Sequence, residues 1–201
     1  MVKHIFAGVL ACMAVCVSVS AQIMEDNFDD NQYGWSETSG VRGVALVKDG
    51  VLHMEAKGVF ALTSTTYAPL DINKPFVLTV DALANAVNNV GIFGILLDYE
   101  DDSNYILFYL NEGDAKLEVV REDKIIGRKF ETLKLKAGRK VGIGFEIEYS
   151  LNELVFKVNG VRAMTYRRRL AKDEYLLGTS GIGFFAKGNQ KIDFDNLSIM
   201  Q

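Results

Sequence analysis

From Asn27 to the C-terminus, apolar and polar residues alternate with a period of two in short runs bounded by Gly, Asn, Asp and Lys. Successive side chains of a strand point to opposite faces, so this alternation marks half-buried β-strands. Beyond the N-terminal segment, no stretch of 10 or more residues carries the 3.6-residue period of an amphipathic helix. VALVKDGVLHMEA reads as a hairpin, because Asp49-Gly50 supplies the positive φ angles of a tight primed turn. GVFALTSTTY, PFVLTVDALAN, VGIFGILLDY, NYILFYL, AKLEVVRE and IIGRKFETLKL follow as strands. A second hairpin spans VGIGFEIEYSLNELVFKVNG, then a loop or helical turn covers RRRLAKDEYLL, and GIGFFAKG and QKIDFDNLSIM close the chain. About a dozen antiparallel strands in one domain must bury their apolar faces against a second layer, which predicts an all-β, two-layer antiparallel β-sandwich.

Two departures from simple alternation add detail. VGIFGILLDY and NYILFYL are apolar on both faces, as expected of strands in mid-sheet with both faces covered, or of a face that meets a ligand. In the last strand Ile192 and Phe194 share one phase and Leu197 and Ile199 the other, and a bulge at Asp195-Asn196 would bury both pairs.

The N-terminal MVKHIFAGVLACMAVCVSVSAQ has a basic start at Lys3, an apolar stretch from Ile5 to Val19, and small residues at Val19 and Ala21. It reads as an export signal cleaved after Ala21, too short to span a bilayer, leaving residues 22–201 as one secreted or periplasmic domain. A lipoprotein reading through Cys12 competes, but few apolar residues precede that cysteine. Both cysteines, Cys12 and Cys16, lie in the signal, so the expected mature domain has no disulfide or thiol chemistry. Without Lys3 the balance is 21 basic to 26 acidic residues, which argues against nucleic-acid or anionic-membrane partners. The one basic cluster, Arg167-Arg168-Arg169, sits near Asp173 and Glu174 and reads as a solvated loop.

The opening Phe28, Asp29 and Trp35, the Gly91 and Gly94 strand leading into DYEDDSNY, the hairpin ending Val158-Asn159-Gly160, GIGFF, and the closing Phe194-Asp195-Asn196-Leu197 resemble the concanavalin A-like lectin and glucanase superfamily. The likeness is to its small secreted bacterial laminin-G-like jelly rolls. It implies a jelly roll but no one function, since that architecture hosts lectins, glycosidases and interaction modules alike.

Candidate chemistry follows from these strands. Glu146 and Glu148 lie two apart on one strand, roughly 7 Å from each other, within the span of glycosidase acid pairs. The superfamily's glucanases carry Glu-x-Asp-x-Glu. Here Glu146-Ile147-Glu148-Tyr149-Ser150 has a serine where the proton donor belongs. A four-residue turn that pairs Tyr149 with Leu154 would instead set Ile147 beside Phe156 and Glu146 beside Lys157, a salt-bridged sheet surface. Tyr105 and Tyr109 share one face of NYILFYL and, with Tyr99, form the expected sugar-binding platform. Trp35 matches a position beside the first strand where the resemblance implies packing. Acidic clusters around Asp98, Asp101, Asp102 and Asn104 and around Asp193, Asp195 and Asn196 suit turn chemistry or a structural calcium ion, and the resemblance favours Asp29 and Asp195 as its ligands. His53, alternating with Leu52 and Met54, reads as an exposed strand position.

Three functions are thereby expected. The first is a non-catalytic exported module binding a glycan or another cell-envelope component. The second is a glycoside hydrolase or keto-sugar hydrolase relative using Glu146, Glu148 or Asp98. The third is a structural envelope protein with no small-molecule ligand.

Overall fold

The computed structural model describes residues 20–85, 92–133, 141–168 and 176–201. Among these residues there is no helix. The strands are β1 (Gln22–Asp26), β2 (Thr38–Gly40), β3 (Gly43–Lys48), β4 (Val51–Ala56), β5 (Ala61–Tyr67), β6 (Phe76–Asn85), β7 (Ile92–Asp101) and β8 (Asn104–Asn111). They continue as β9 (Asp114–Arg121), β10 (Lys124–Thr132), β11 (Val141–Ser150), β12 (Glu153–Val158), β13 (Val161–Arg167), β14 (Gly181–Lys187) and β15 (Gln190–Met200).

They build two antiparallel sheets. The larger has nine strands in the order β13-β12-β11-β6-β15-β4-β3-β2, with β1 also paired to β15. The smaller has six, β10-β9-β8-β7-β14-β5. The expected sandwich is therefore the fold found, with β1 and β2 as additions that alternation did not reveal. β1 is five residues long and β2 three, too short for a period to stand out. First and last strands pair, and the ladder reaches Ala21, whose N–H and C=O both bond Gln201. The expected signal lies almost wholly in residues 1–19, outside the described residues, as do Arg169 and most of RRRLAKDEYLL.

The local rules hold where they are strongest. Asp49 and Gly50 take φ of 56° and 74°, joining β3 to β4 with Lys48 opposite Val51. In β11, Ile143, Phe145, Ile147 and Tyr149 are buried between the sheets while Gly142, Gly144, Glu146 and Glu148 face outward. The bulge falls where burial demanded it. The β15–β6 register shifts between Asp195 and Ser198, Asn196 has φ 53°, and Ile192, Phe194, Leu197 and Ile199 all enter the core.

That core is aromatic at its centre. Phe184 stacks on Phe194 at 4.2 Å and Phe108 on Phe156 at 4.6 Å, while Phe28 and Trp35 close one end against Phe184. Each such buried side chain contributes roughly 1.5–3 kcal/mol relative to an exposed one, and this packing stabilises the sandwich. Trp35 has the packing role the resemblance implied, and its indole N–H donates to Asp26 Oδ2 at 2.7 Å.

Candidate functional site

β7 and β8 are apolar on both faces because each face meets a different cluster. Phe93, Ile95, Leu97, Ile106, Phe108 and Leu110 point into the sandwich. On the outer face of the six-stranded sheet Leu96, Leu107 and Tyr109 form a separate cluster, flanked by Ile92, Tyr99, Tyr105 and Phe185. The three tyrosines expected to act together are thus brought together, but not as equals. Tyr109 is only 9% exposed, whereas Tyr99 and Tyr105 are half-buried and keep part of their rings accessible. Tyr109 is the buried support of this face and Tyr99 and Tyr105 are its surface.

Gly94 makes this arrangement possible. It lies opposite Tyr109, and a Cβ there would fall 2.0 Å from the Phe108 carbonyl oxygen and 2.5 Å from Tyr109 Cα. The phenols are fixed by acids: Tyr99 donates to Asp102 Oδ1 at 3.0 Å and Tyr109 to Glu118 Oε1 at 3.3 Å. Burial, then the neighbouring Asp102, pushes the Tyr99 hydroxyl up to about 12. Burial and then the Glu118 charge push Tyr109 up to about 12 as well. Tyr105 is raised by burial, with Glu118 adding to it. Glu118 is itself held by Arg128, whose Nε and Nη2 lie 3.1 and 3.0 Å from Oε1.

At the Tyr99 and Tyr105 end of the face opens a polar hollow of about 350 Å³, bordered by Tyr67, Glu100, Asn104, Arg121 and Arg168 over Asp98. Asp98 sits in left-handed backbone (φ 51°) with its side chain 4% exposed. Its Oδ1 accepts the N–H groups of Gly178 and Thr179 at 2.6 and 2.8 Å, and its Oδ2 accepts a hydrogen bond from Arg121. Arg121 also donates to the Val120 carbonyl. Burial raises the Asp98 carboxyl above the usual carboxylate range, while the two N–H groups and Arg121 oppose that rise. Asp98 therefore anchors the segment before β14 to the end of β7 and sets the floor of the hollow. Tyr67, 65% exposed, stands at its rim.

The expected acid pair lies on the other sheet. Glu146 is opposite Lys157 and Ile147 opposite Phe156, the pairing the hairpin predicted. Lys157 Nζ bonds Glu146 Oε1 at 2.7 Å and Glu148 Oε1 at 2.5 Å, so one ammonium bridges both carboxylates. Both acids lie on the outer face of the nine-stranded sheet, away from the tyrosines. A groove of about 580 Å³ runs beside them, lined by Asp81, Asp193, Asp195, Asn159 and Asn196 where Gly142 and Gly144 leave room.

The expected calcium ligands are placed apart from any converging set. Asp29 lies beside the Gly50 turn, and Asp195 Oδ1 accepts the Asn196 N–H at 2.7 Å. Among the described residues no group of three or more His, Cys, Asp or Glu side chains is arranged to hold a metal ion. His53 is half-buried rather than exposed, because its Nδ1 lies 2.6 Å from Asp193 Oδ1 across β4 and β15.

No known sequence-family model matches this chain, and no curated protein matches it in sequence. Solved structures do match in shape. A Bacillus subtilis protein of unknown function with a galectin-like fold aligns over 90% of this chain and 96% of its own, with TM-score 0.64 and 12% identity. The catalytic domain of an endo-1,3-beta-glucanase (laminarinase) from Thermotoga petrophila aligns over 90% of this chain and 98% of its own, with TM-score 0.61 and 12% identity. The carbohydrate binding module CBM66 from Bacillus subtilis aligns over 91% and 96%, with TM-score 0.53 and 9% identity. The chain shares the jelly-roll β-sandwich fold of these neighbours. At these identities the likeness concerns fold alone, and among the described residues no helix is long and apolar enough to cross a membrane.

Arg121, Arg168 and Tyr67 were not legible as site residues. The ladder β9-β8-β7-β14-β5 brings Arg121 at the end of β9 and Tyr67 at the end of β5 to one end of the six-stranded sheet, and Arg168 reaches the hollow from just after β13 of the other sheet. The signals were Tyr67, an aromatic closing the Thr-rich strand ALTSTTY, and Arg168, within the basic cluster read as a solvated loop.

Proposed function

We propose that this protein is an exported, non-catalytic carbohydrate-binding module whose site is the tyrosine face of the six-stranded sheet and the hollow at its end. The observation that carries this reading is the second apolar cluster, which presents Tyr99 and Tyr105 beside a polar hollow rimmed by Tyr67, Arg121 and Arg168. An aromatic ring covers the apolar C–H side of a pyranose, and charged donors and acceptors bond the ring hydroxyls more strongly than neutral ones do. Two of the shape neighbours, a carbohydrate binding module and a laminarinase, support the same substrate class. Against catalysis by this pair stands Lys157, whose one ammonium bridges Glu146 and Glu148 as a salt-bridged sheet surface.

A glycan array on the purified protein tests the reading. Binding to a defined glycan class is expected, falling at least about tenfold in Tyr105→Ala and in Arg168→Ala, as loss of roughly 1.4 kcal/mol of contact requires. The double variant Glu146→Gln/Glu148→Gln is expected to bind like the parent. Absence of binding across broad panels would favour an envelope-assembly role, and reducing ends released from a polysaccharide would overturn the non-catalytic part.

A further inference from the structure

The two sheets end in edges that are treated differently. At β5 the backbone is covered: the Ser36 N–H donates to the Thr65 carbonyl, Ser36 Oγ accepts the Thr65 N–H, and Ser64 Oγ bonds the Ser36 carbonyl. β2 has three residues, and the β12–β13 register is broken by a shift between Phe156 and Lys157. Such short, covered or bulged edges blunt pairing with other chains. β10 is nine residues long, every residue of it but Gly127 is exposed, and Phe130 is 58% exposed. Among the described residues no backbone bond reaches its outer edge. Its own bulge is confined to Ile126, which leaves Gly127–Thr132 in unbroken register with β9.

That regular stretch is complementary to itself. In an antiparallel pair of identical strands, opposed residues must have the same hydrogen-bonding phase, so the two-fold axis passes through a residue rather than between two. With the axis at Phe130, Phe130 meets Phe130, Lys129 meets Glu131 twice, and Arg128 meets Thr132 twice. Arg128 is already drawn towards Glu118 and Lys116 lies over the Phe130 ring, so these two basic groups are occupied on their own sheet, while Lys129 reaches the Thr165 carbonyl of β13. The charges that would repel a foreign strand thus attract a second copy of this one.

We propose that β10 pairs with β10 of a second copy, antiparallel about Phe130, to join the two six-stranded sheets into one continuous sheet. The two-fold axis stands perpendicular to that sheet, so both tyrosine faces look the same way. A module of this form engages a repetitive surface through two sites at once, which raises avidity without a new contact.

Sedimentation velocity on the purified protein over a wide concentration range tests the pairing. A monomer–dimer equilibrium is expected. Lys129→Glu and Glu131→Lys each place like charges opposite one another twice across the axis, and each should weaken dimerisation at least about tenfold, some 1.4 kcal/mol. The double variant Lys129→Glu/Glu131→Lys restores opposite charges and should recover the dimer. Lys129 also donates to the Thr165 carbonyl, whereas Glu131 has no bonded partner among the described residues, so Glu131→Lys serves where Lys129→Glu disturbs the fold. A wild-type monomer at every concentration would overturn the proposal and leave the edge to a strand of another protein. Dimers indifferent to both single changes, or a double variant no tighter than the singles, would overturn it too.

Discussion

Asp98 offers a direct test of how the hollow is held. Its carboxylate takes three donors: two main-chain N–H groups on Oδ1 and the Arg121 guanidinium on Oδ2. Asn at 98 keeps an oxygen for Gly178 and Thr179 but turns an NH2 group towards the guanidinium. The loss is one charge-assisted hydrogen bond, about 1.5–3 kcal/mol. Ala at 98 also strands two N–H groups and leaves Arg121, 28% exposed, without its partner. Removing one member of a buried ion pair costs about 3–5 kcal/mol, and Arg121's partial access to water puts the expectation at the lower end of that range. For a chain of this size, a destabilisation of about 3 kcal/mol lowers the thermal midpoint by roughly 6–12 °C.

The assay is urea unfolding followed by tryptophan fluorescence, with the slope checked for constancy so that only the midpoint moves. Trp35 is the sole tryptophan, buried against Phe28 and Phe184 in the core, and it reports on global unfolding. The expected order of stability is wild type, then Asp98→Asn, then Asp98→Ala. Added salt should change the differences little, because the Asp98 carboxylate is shielded from solvent. The Ala variant should also lose glycan affinity, since Gly178 and Thr179 would no longer be tied across the floor of the hollow. If Asp98→Ala unfolds within about 1 kcal/mol of wild type, or if Asn is as costly as Ala, the carboxylate does not anchor this end of the sheet.

Two further outcomes test the tyrosine face. Gly94→Ala should abolish folding or reduce it to a trace of soluble protein, because its Cβ would meet main-chain and Cβ atoms of β8 at 2.0–2.8 Å, whereas Gly142→Ala, with open space around it, should be neutral in circular dichroism and melting. Tyr99 and Tyr109, raised from 10.0 to about 12, favour the folded state up to pH 10, and that contribution is lost as pH rises from about 10 through about 12. Phenolate absorbance against pH should show a late-ionising class that shrinks by one group in Tyr109→Phe. A native protein whose tyrosines all ionise together near pH 10 would contradict the geometry.

What could be read from the chain, and what could not, divides along a physical line. The Asp49-Gly50 turn, the Glu146–Lys157 register and the bulge at Asp195-Asn196 each follow from a few neighbouring residues whose faces alternation assigns. Alternation also put Tyr105 and Tyr109 on one face. It could not distinguish them, because Tyr109 is buried by Leu96 and the close approach of Gly94, contacts supplied by the neighbouring strand β7. Asp98 shows the same limit more sharply. In DYEDDSNY it reads as turn or calcium chemistry, and its role comes from Arg121 on β9 and from Gly178 and Thr179, 80 and 81 residues away. In an antiparallel sandwich a strand's phase tells which residues share a face, and the ladder decides which of those faces meet. A binding site on one sheet therefore depends on strand order, and strand order here runs β9-β8-β7-β14-β5, with β14 inserted beside β7 from far along the chain. That insertion closes the hollow by bringing Tyr67 on β5 towards Tyr99, and no local pattern in either strand records it.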